Sequence, residues 1–131
     1  MSGTLVLDSE GLSRYLRGDR TVTARLEAAR LDDMRVVVSA VTIVEADPQG
    51  ANRARVSWAL SRLAVEPVTK ELATAAVALL AEIDSSGGHK YALDALVAAT
   101  ARAAHPPVVV LTSDPEDLER LCGPRVAVLK T

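Results

Sequence analysis

Apolar residues along the chain fall into two alternating rhythms. Short continuous runs recur at residues 4–7 (TLVL), 35–39 (RVVVS), 64–68, 108–111 and 126–129. Runs of that length bounded by turn residues read as strands buried on both faces. Longer stretches between them carry apolar positions at helical spacing. They predict helices over 10–17, 21–31 (Val22, Leu26 and Ala29 on one face), 41–46, 51–63 (Val56, Ala59, Leu60 and Leu63 facing in), 69–83, 91–104 and 114–122. Gly18-Asp19, Asp47-Pro48-Gln49-Gly50, Pro106-Pro107 and Gly123-Pro124 mark breaks, and residues 84–88 read as a loop. Asp8 and Ser9, Thr69, and Asp114 ahead of Pro115 supply N-caps. Strands alternating with helices, the strands apolar throughout, predict an α/β fold whose parallel sheet is covered on both faces. With no repeat, low-complexity stretch or linker, residues 1–131 read as one domain.

The helix over 91–104 is the most informative. HKYALDALVAATAR is rich in Ala and Leu, helix-forming and apolar nearly all round, so it should be largely buried. Asp94 sits inside it, and a buried carboxylate is costly unless paired, hydrogen-bonded or bound to a cation. A plain structural account exists. Asp94 falls in the first turns, where the helix dipole favours a negative charge by about 0.3–1 kcal/mol, and Lys90 stands four residues back as a partner.

The other acids shift the balance. Sites in open parallel sheets form at the carboxyl ends of strands. Asp8 directly follows the first strand, Glu45 lies early in the helix after the second, and Asp114 comes just beyond the fourth, with Asp117 three residues on. Singly each is more often a cap or a solvated residue. Together they gather at one sheet edge, where two charges 4 Å apart repel by about 4 kcal/mol at an effective dielectric near 20. Either their pKa values rise or a cation sits among them.

Composition narrows which cation. There is one cysteine, Cys122, and two histidines, His89 and His105, so a multi-histidine or thiolate site is excluded and a hard ion such as Mg²⁺ or Mn²⁺ held by oxygen is the candidate. A net charge of −2 argues against a broad nucleic-acid-binding surface but not against contact through a metal and a few arginines. Three aromatics, Tyr15, Trp58 and Tyr91, make no base-stacking platform. No run is long enough to cross a membrane and the amino terminus lacks a signal-peptide pattern, which fits a reducing cytoplasm.

The order strand–Asp8, SAVTIVEA with Glu45, KYALDALVAATA with Asp94, and VVVLTSDPEDL with Asp114 and Asp117 resembles the PIN-domain ribonucleases, specifically the small VapC-type toxins of bacterial toxin–antitoxin pairs. The resemblance spans nearly the whole chain and is most specific around Asp94 and TSDPEDL. It implies a three-layer α/β/α sandwich with a central parallel sheet. It implies a metal site of Asp8, Glu45 and Asp94 with Asp114 or Asp117 as fourth acid, and Thr112 or Ser113 as an orienting hydroxyl. The implied activity is Mg²⁺- or Mn²⁺-dependent cleavage of RNA by a homodimer, held in check by an antitoxin that covers the acidic pocket. One departure is visible: Asp47-Pro48 cuts the Glu45 helix short, where relatives usually continue it. Arg14 and Arg17 are candidate phosphate contacts, and Lys90 either neutralises Asp94 or meets the scissile phosphate.

Two rivals use the same pattern. A receiver-like signalling domain needs an Asp after the third strand, where this chain reads AVEPVT. A PIN-like module that binds without turnover would keep the fold, and the retained acids speak against it. No G-x-S-x-G elbow or G-x-x-x-x-G-K-[ST] phosphate loop is present.

Overall fold

Each apolar run becomes a strand of one sheet. The structure, a computed structural model, describes residues 2–83 and 90–131. Its elements are β1 (Gly3–Leu7), α1 (Ser9–Leu16), α2 (Arg20–Leu31), β2 (Met34–Ser39), α3 (Ala40–Ala46), α4 (Arg53–Ser61), β3 (Ala64–Glu66), α5 (Lys70–Ile83), α6 (Ala92–Ala103), β4 (Val108–Thr112), α7 (Pro115–Cys122) and β5 (Val126–Lys130). The loop expected over 84–88 and His89 lie outside the described residues.

All five strands are parallel, in the order β3-β2-β1-β4-β5. Successive side chains of a strand point to opposite faces, and the two cores follow that alternation. Leu5, Leu7, Val36, Val38 and Leu111 pack with Leu12, Leu16, Val22, Leu26, Val56 and Ala59 of α1, α2 and α4. Val6, Val37, Val108 and Val110 pack with Leu79, Ala95, Ala98, Leu118 and Leu121 of α5, α6 and α7. This is the three-layer α/β/α arrangement, with α6 buried along Ala95 and Val97–Ala101.

Local chemistry explains where the elements fall short of the expected spans. α4 starts at Arg53 rather than residue 51, because the Asn52 side chain accepts the backbone N–H groups of Ala54 and Arg55 and so caps it there. Leu60 and Leu63 are only half-buried. β3 stops at Glu66, since Pro67 has no N–H to continue the ladder. The early break at Asp47-Pro48 is real. α3 ends at Ala46, and Asp47 holds Arg53 in a two-pronged ion pair at 2.9 and 2.7 Å. Among the described residues no helix is long and apolar enough to cross a membrane.

Candidate metal centre

From β1 the chain builds outward through β2 to β3, then returns to the other side of β1 for β4 and β5. Ligands of such sheets settle in the crevice at the carboxyl ends of the strands flanking that reversal, here β1 and β4. Leu7 is in register with Val38 of β2 and Leu111 of β4. The next residues, Asp8, Ser39 and Thr112, therefore share one carboxyl edge.

Asp8 is buried and tightly held. Its Oδ1 accepts the backbone N–H of Gly11 at 2.8 Å, which caps α1. Its Oδ2 accepts the Thr112 hydroxyl at 2.5 Å, and the nearby Ser113 backbone N–H favours the charged carboxylate. Burial pushes the Asp8 pKa up; these hydrogen bonds favour the ionised form and hold the rise back. Asp8 is thus both a helix cap and a member of the site. A carboxylate has about four acceptor positions, so the bonds from Gly11 and Thr112 leave room for a further partner.

Asp94 lies in the first turn of α6, and its pKa is raised to about 6. Burial is the largest cause, followed by repulsion from Asp117, Asp8, Asp114 and Glu45 in that order. Carboxylates from β1, α3, α6 and the β4–α7 segment therefore act on one another across a single crevice. Asp114 occupies the N-cap position of α7, but its side chain makes no capping bond; its backbone N–H donates to the Thr112 hydroxyl at 3.0 Å. Asp117 lies beside Asp114 rather than completing a cap. Its pKa is raised by desolvation and by Asp114, against the pull of Arg120 and Lys90. Glu45 is exposed and sits in the last turn of the seven-residue α3, later in its helix than expected.

Other expected neighbours are placed differently. Lys90 does not pair with Asp94; its ammonium stands 5.4 Å from the centroid of the Tyr91 ring. Arg14, a candidate phosphate contact, is engaged by Asp19 at 3.5 Å and Glu10 at 4.0 Å. The sequence reading passed over Thr42, a buried hydroxyl on α3 one turn before Glu45, with no hydrogen-bond partner. A buried orphan hydroxyl costs roughly 1–3 kcal/mol unless water or a ligand reaches it. The signal was the Ser39-x-x-Thr42 spacing at the start of α3.

The donor set fits a hard dication. It is all oxygen, and His105 lies at the opposite edge of the sheet, where its carbonyl accepts the Thr4 hydroxyl. None of the five acids is in an ion pair within 4.0 Å among the described residues. Nor do any three His, Cys, Asp or Glu side chains among those residues stand close enough to form a ready-made ligand group. A cleft of about 500 Å³, open to solvent, lies away from these acids, lined by Gly3, Thr4, Arg35, Leu72 and His105.

No family model and no curated protein sequence matches the chain. Among solved structures, it is similar to a chain of the crystal structure of VapBC2 from Rickettsia felis bound to a DNA fragment from their promoter. The TM-score is 0.74 over 98% of each chain, at 16% identity. At that identity the likeness establishes the fold, and the PIN-like architecture expected from the order of the acids is the one observed.

Proposed function

We propose that this chain is a Mg²⁺- or Mn²⁺-dependent endoribonuclease acting as the toxin of a type II toxin–antitoxin pair. One observation carries the reading. Acids from four separate segments lie along the carboxyl edge of the sheet, repel one another enough to help lift Asp94 to about 6, and among the described residues have no Arg or Lys in an ion pair with them. Structural carboxylates would be expected to have partners.

In this reading Asp8, Glu45, Asp94 and one of Asp114 or Asp117 hold the ion. When bound, it supplies Lewis-acid polarisation of a phosphoryl oxygen and a water nucleophile at neutral pH. The Gly11 N–H and the Thr112 hydroxyl fix the rotamer of Asp8 and favour its ionised form. Lys90, near enough to Asp117 to lower its pKa, would meet the scissile phosphate. The antitoxin, the homodimer and a cytoplasmic setting belong to the same reading. The exposed Val44 of α3 and Trp58 of α4 are apolar surface on which a partner chain would dock.

A second reading, a PIN-like module that binds without cutting, draws on the lack of a ready three-residue ligand group among the described residues. Incubation of the purified chain with single-stranded RNA separates the two. The nuclease reading expects cleavage that EDTA stops and Mn²⁺ restores. RNA left intact in Mg²⁺ and Mn²⁺ alike, by folded protein, favours the binding module.

A further inference from the structure

Helix α1 has opposite charges at its two ends. Asp8 caps its start; Arg14 and Arg17 lie at its finish, and Gly18, Asp19 and Arg20 carry the chain into α2. Gly18 has a φ of +83°, a conformation that glycine adopts without strain. It also leaves room for a second element. A Cβ there would clash with an Arg55 guanidinium nitrogen and stand 3.1 Å from its Cζ, so the tip of the Arg55 side chain, from α4, rests against this turn. The contact was not visible in sequence, since residues 18 and 55 are joined only by the packing of α4 on α1.

Arg14 is engaged by Asp19 and Glu10. Arg17 and Arg55 are exposed, and among the described residues neither side chain makes a hydrogen bond or an ion pair. Two guanidinium groups with their donors unused, on either side of a glycine turn, form a basic site in a chain whose net charge is −2. An arginine fork matches phosphate oxygens in geometry as well as charge.

We infer that Arg17 and Arg55 grip a backbone phosphate of the RNA strand a short distance from the cut bond. This rests on the nuclease reading above and adds where the substrate lies. Nine residues of helical rise separate Asp8 from Arg17, about 13 Å. A strand with its scissile phosphate at the acids therefore runs along the exposed line of α1 through Glu10 and Arg14 to reach the turn. The grip acts on the sugar–phosphate backbone and carries no base preference. It also supplies the attraction that a pocket of five carboxylates cannot supply for a polyanion.

The test is binding of a fluorescein-labelled single-stranded oligoribonucleotide to the full chain, in EDTA, from about 50 to 200 mM salt. Each phosphate contact on a single strand contributes about 0.7 to the slope of log K against log salt. The Arg17→Gln/Arg55→Gln variant should bind roughly tenfold more weakly with a slope lower by about 0.7, the share of one phosphate, and the Arg17→Lys/Arg55→Lys variant should keep most of the wild-type slope. A glutamine variant with the wild-type slope, or a wild-type chain that does not bind RNA, overturns the inference. The two readings fail separately. A chain that binds with these slopes but never cuts keeps the grip and loses the nuclease. A chain that cuts while the glutamine variant binds like wild type keeps the nuclease and loses the grip.

Discussion

Thr112 and Asp8, 104 residues apart in the chain, are joined by a hydrogen bond in which the Thr112 hydroxyl donates to Oδ2 of Asp8 at 2.5 Å. The same hydroxyl accepts the Asp114 backbone N–H at 3.0 Å. One side chain thus ties the end of β1 to the start of α7 and sets two of the acids relative to each other. Both residues are buried, so the bond is shielded from water.

Replacing Thr112 by Val keeps the shape and deletes the hydroxyl. Asp8 loses a donor that favours its ionised form, so its already raised pKa should climb further. The buried oxygen left without a partner should cost about 1–3 kcal/mol in denaturant unfolding. RNA cleavage should fall at least tenfold, while Thr112→Ser stays near wild type on both counts. A valine variant as stable and as active as wild type would mean that the bond is incidental.

Asp94→Asn should abolish cleavage without unfolding the chain. The substitution removes a charge that burial and four other acids already disfavour, so unfolding at pH 7 should show equal or greater stability. Circular dichroism with a cleavage assay checks both halves. Full activity in the variant would remove Asp94 from the chemistry; collapse of the fold would make it a structural acid.

Much of this was legible in the chain because the relevant signals are local. Continuous apolar runs mark strands buried on both sides, and the Val22, Leu26 and Ala29 stripe marked the face of α2 that is in fact buried. Asp8, Asp94, Asp114 and Asp117 could be assigned to one edge because each follows a strand or opens a helix, whereas Glu45 falls in the last turn of α3. What stayed hidden depends on packing between distant segments. Nothing in KYALD tells that Lys90 turns to Tyr91 instead of Asp94, or that Arg14 is drawn to Asp19 across the α1–α2 turn. The Asp8 cap and the Asp8 site looked like alternatives in sequence; a carboxylate with two oxygens does both.

Stability should depend on pH in a direction set by the acids. The Asp94 carboxyl moves from 3.8 to about 6 on folding, and Asp8 and Asp117 shift the same way. Between about pH 4 and 6 the folded chain therefore holds more protons than the unfolded one, and stability falls as pH rises through that window. For Asp94 the fall has an upper bound of about 3 kcal/mol, reduced by solvent reaching the crevice. Chemical unfolding in EDTA from pH 4 to 7.5 should show the decline, and Asp94→Asn should flatten it. Stability that rises over this interval would contradict the crowding of charge.

A bound dication should reverse the penalty. At pH 7, Mn²⁺ at about 100 times its dissociation constant should add roughly 2.7 kcal/mol, read as a higher melting temperature that EDTA removes. Below about pH 6 the effect should shrink, because the ion then competes with the Asp94 proton. Equal stabilisation by Mn²⁺ in a variant carrying Asp8→Asn and Asp94→Asn would place the ion somewhere else on the chain.

The last pair of acids differ in how they act on Asp94. Asp117 repels it more than any other charge, ahead of Asp8 and Asp114, although Asp114 is nearer to Asp8 through the Thr112 hydroxyl. Asp117→Asn should therefore lower the Asp94 pKa further than Asp114→Asn does. Carboxyl chemical shifts followed by NMR across pH 3 to 8 measure the two variants on one scale. If the metal settles between α6 and α7, Asp117→Asn should also weaken Mn²⁺ binding more, making Asp117 the fourth acid. A larger loss with Asp114→Asn would move the ion toward the carboxyl ends of β1 and β4, with Asp114 as its ligand.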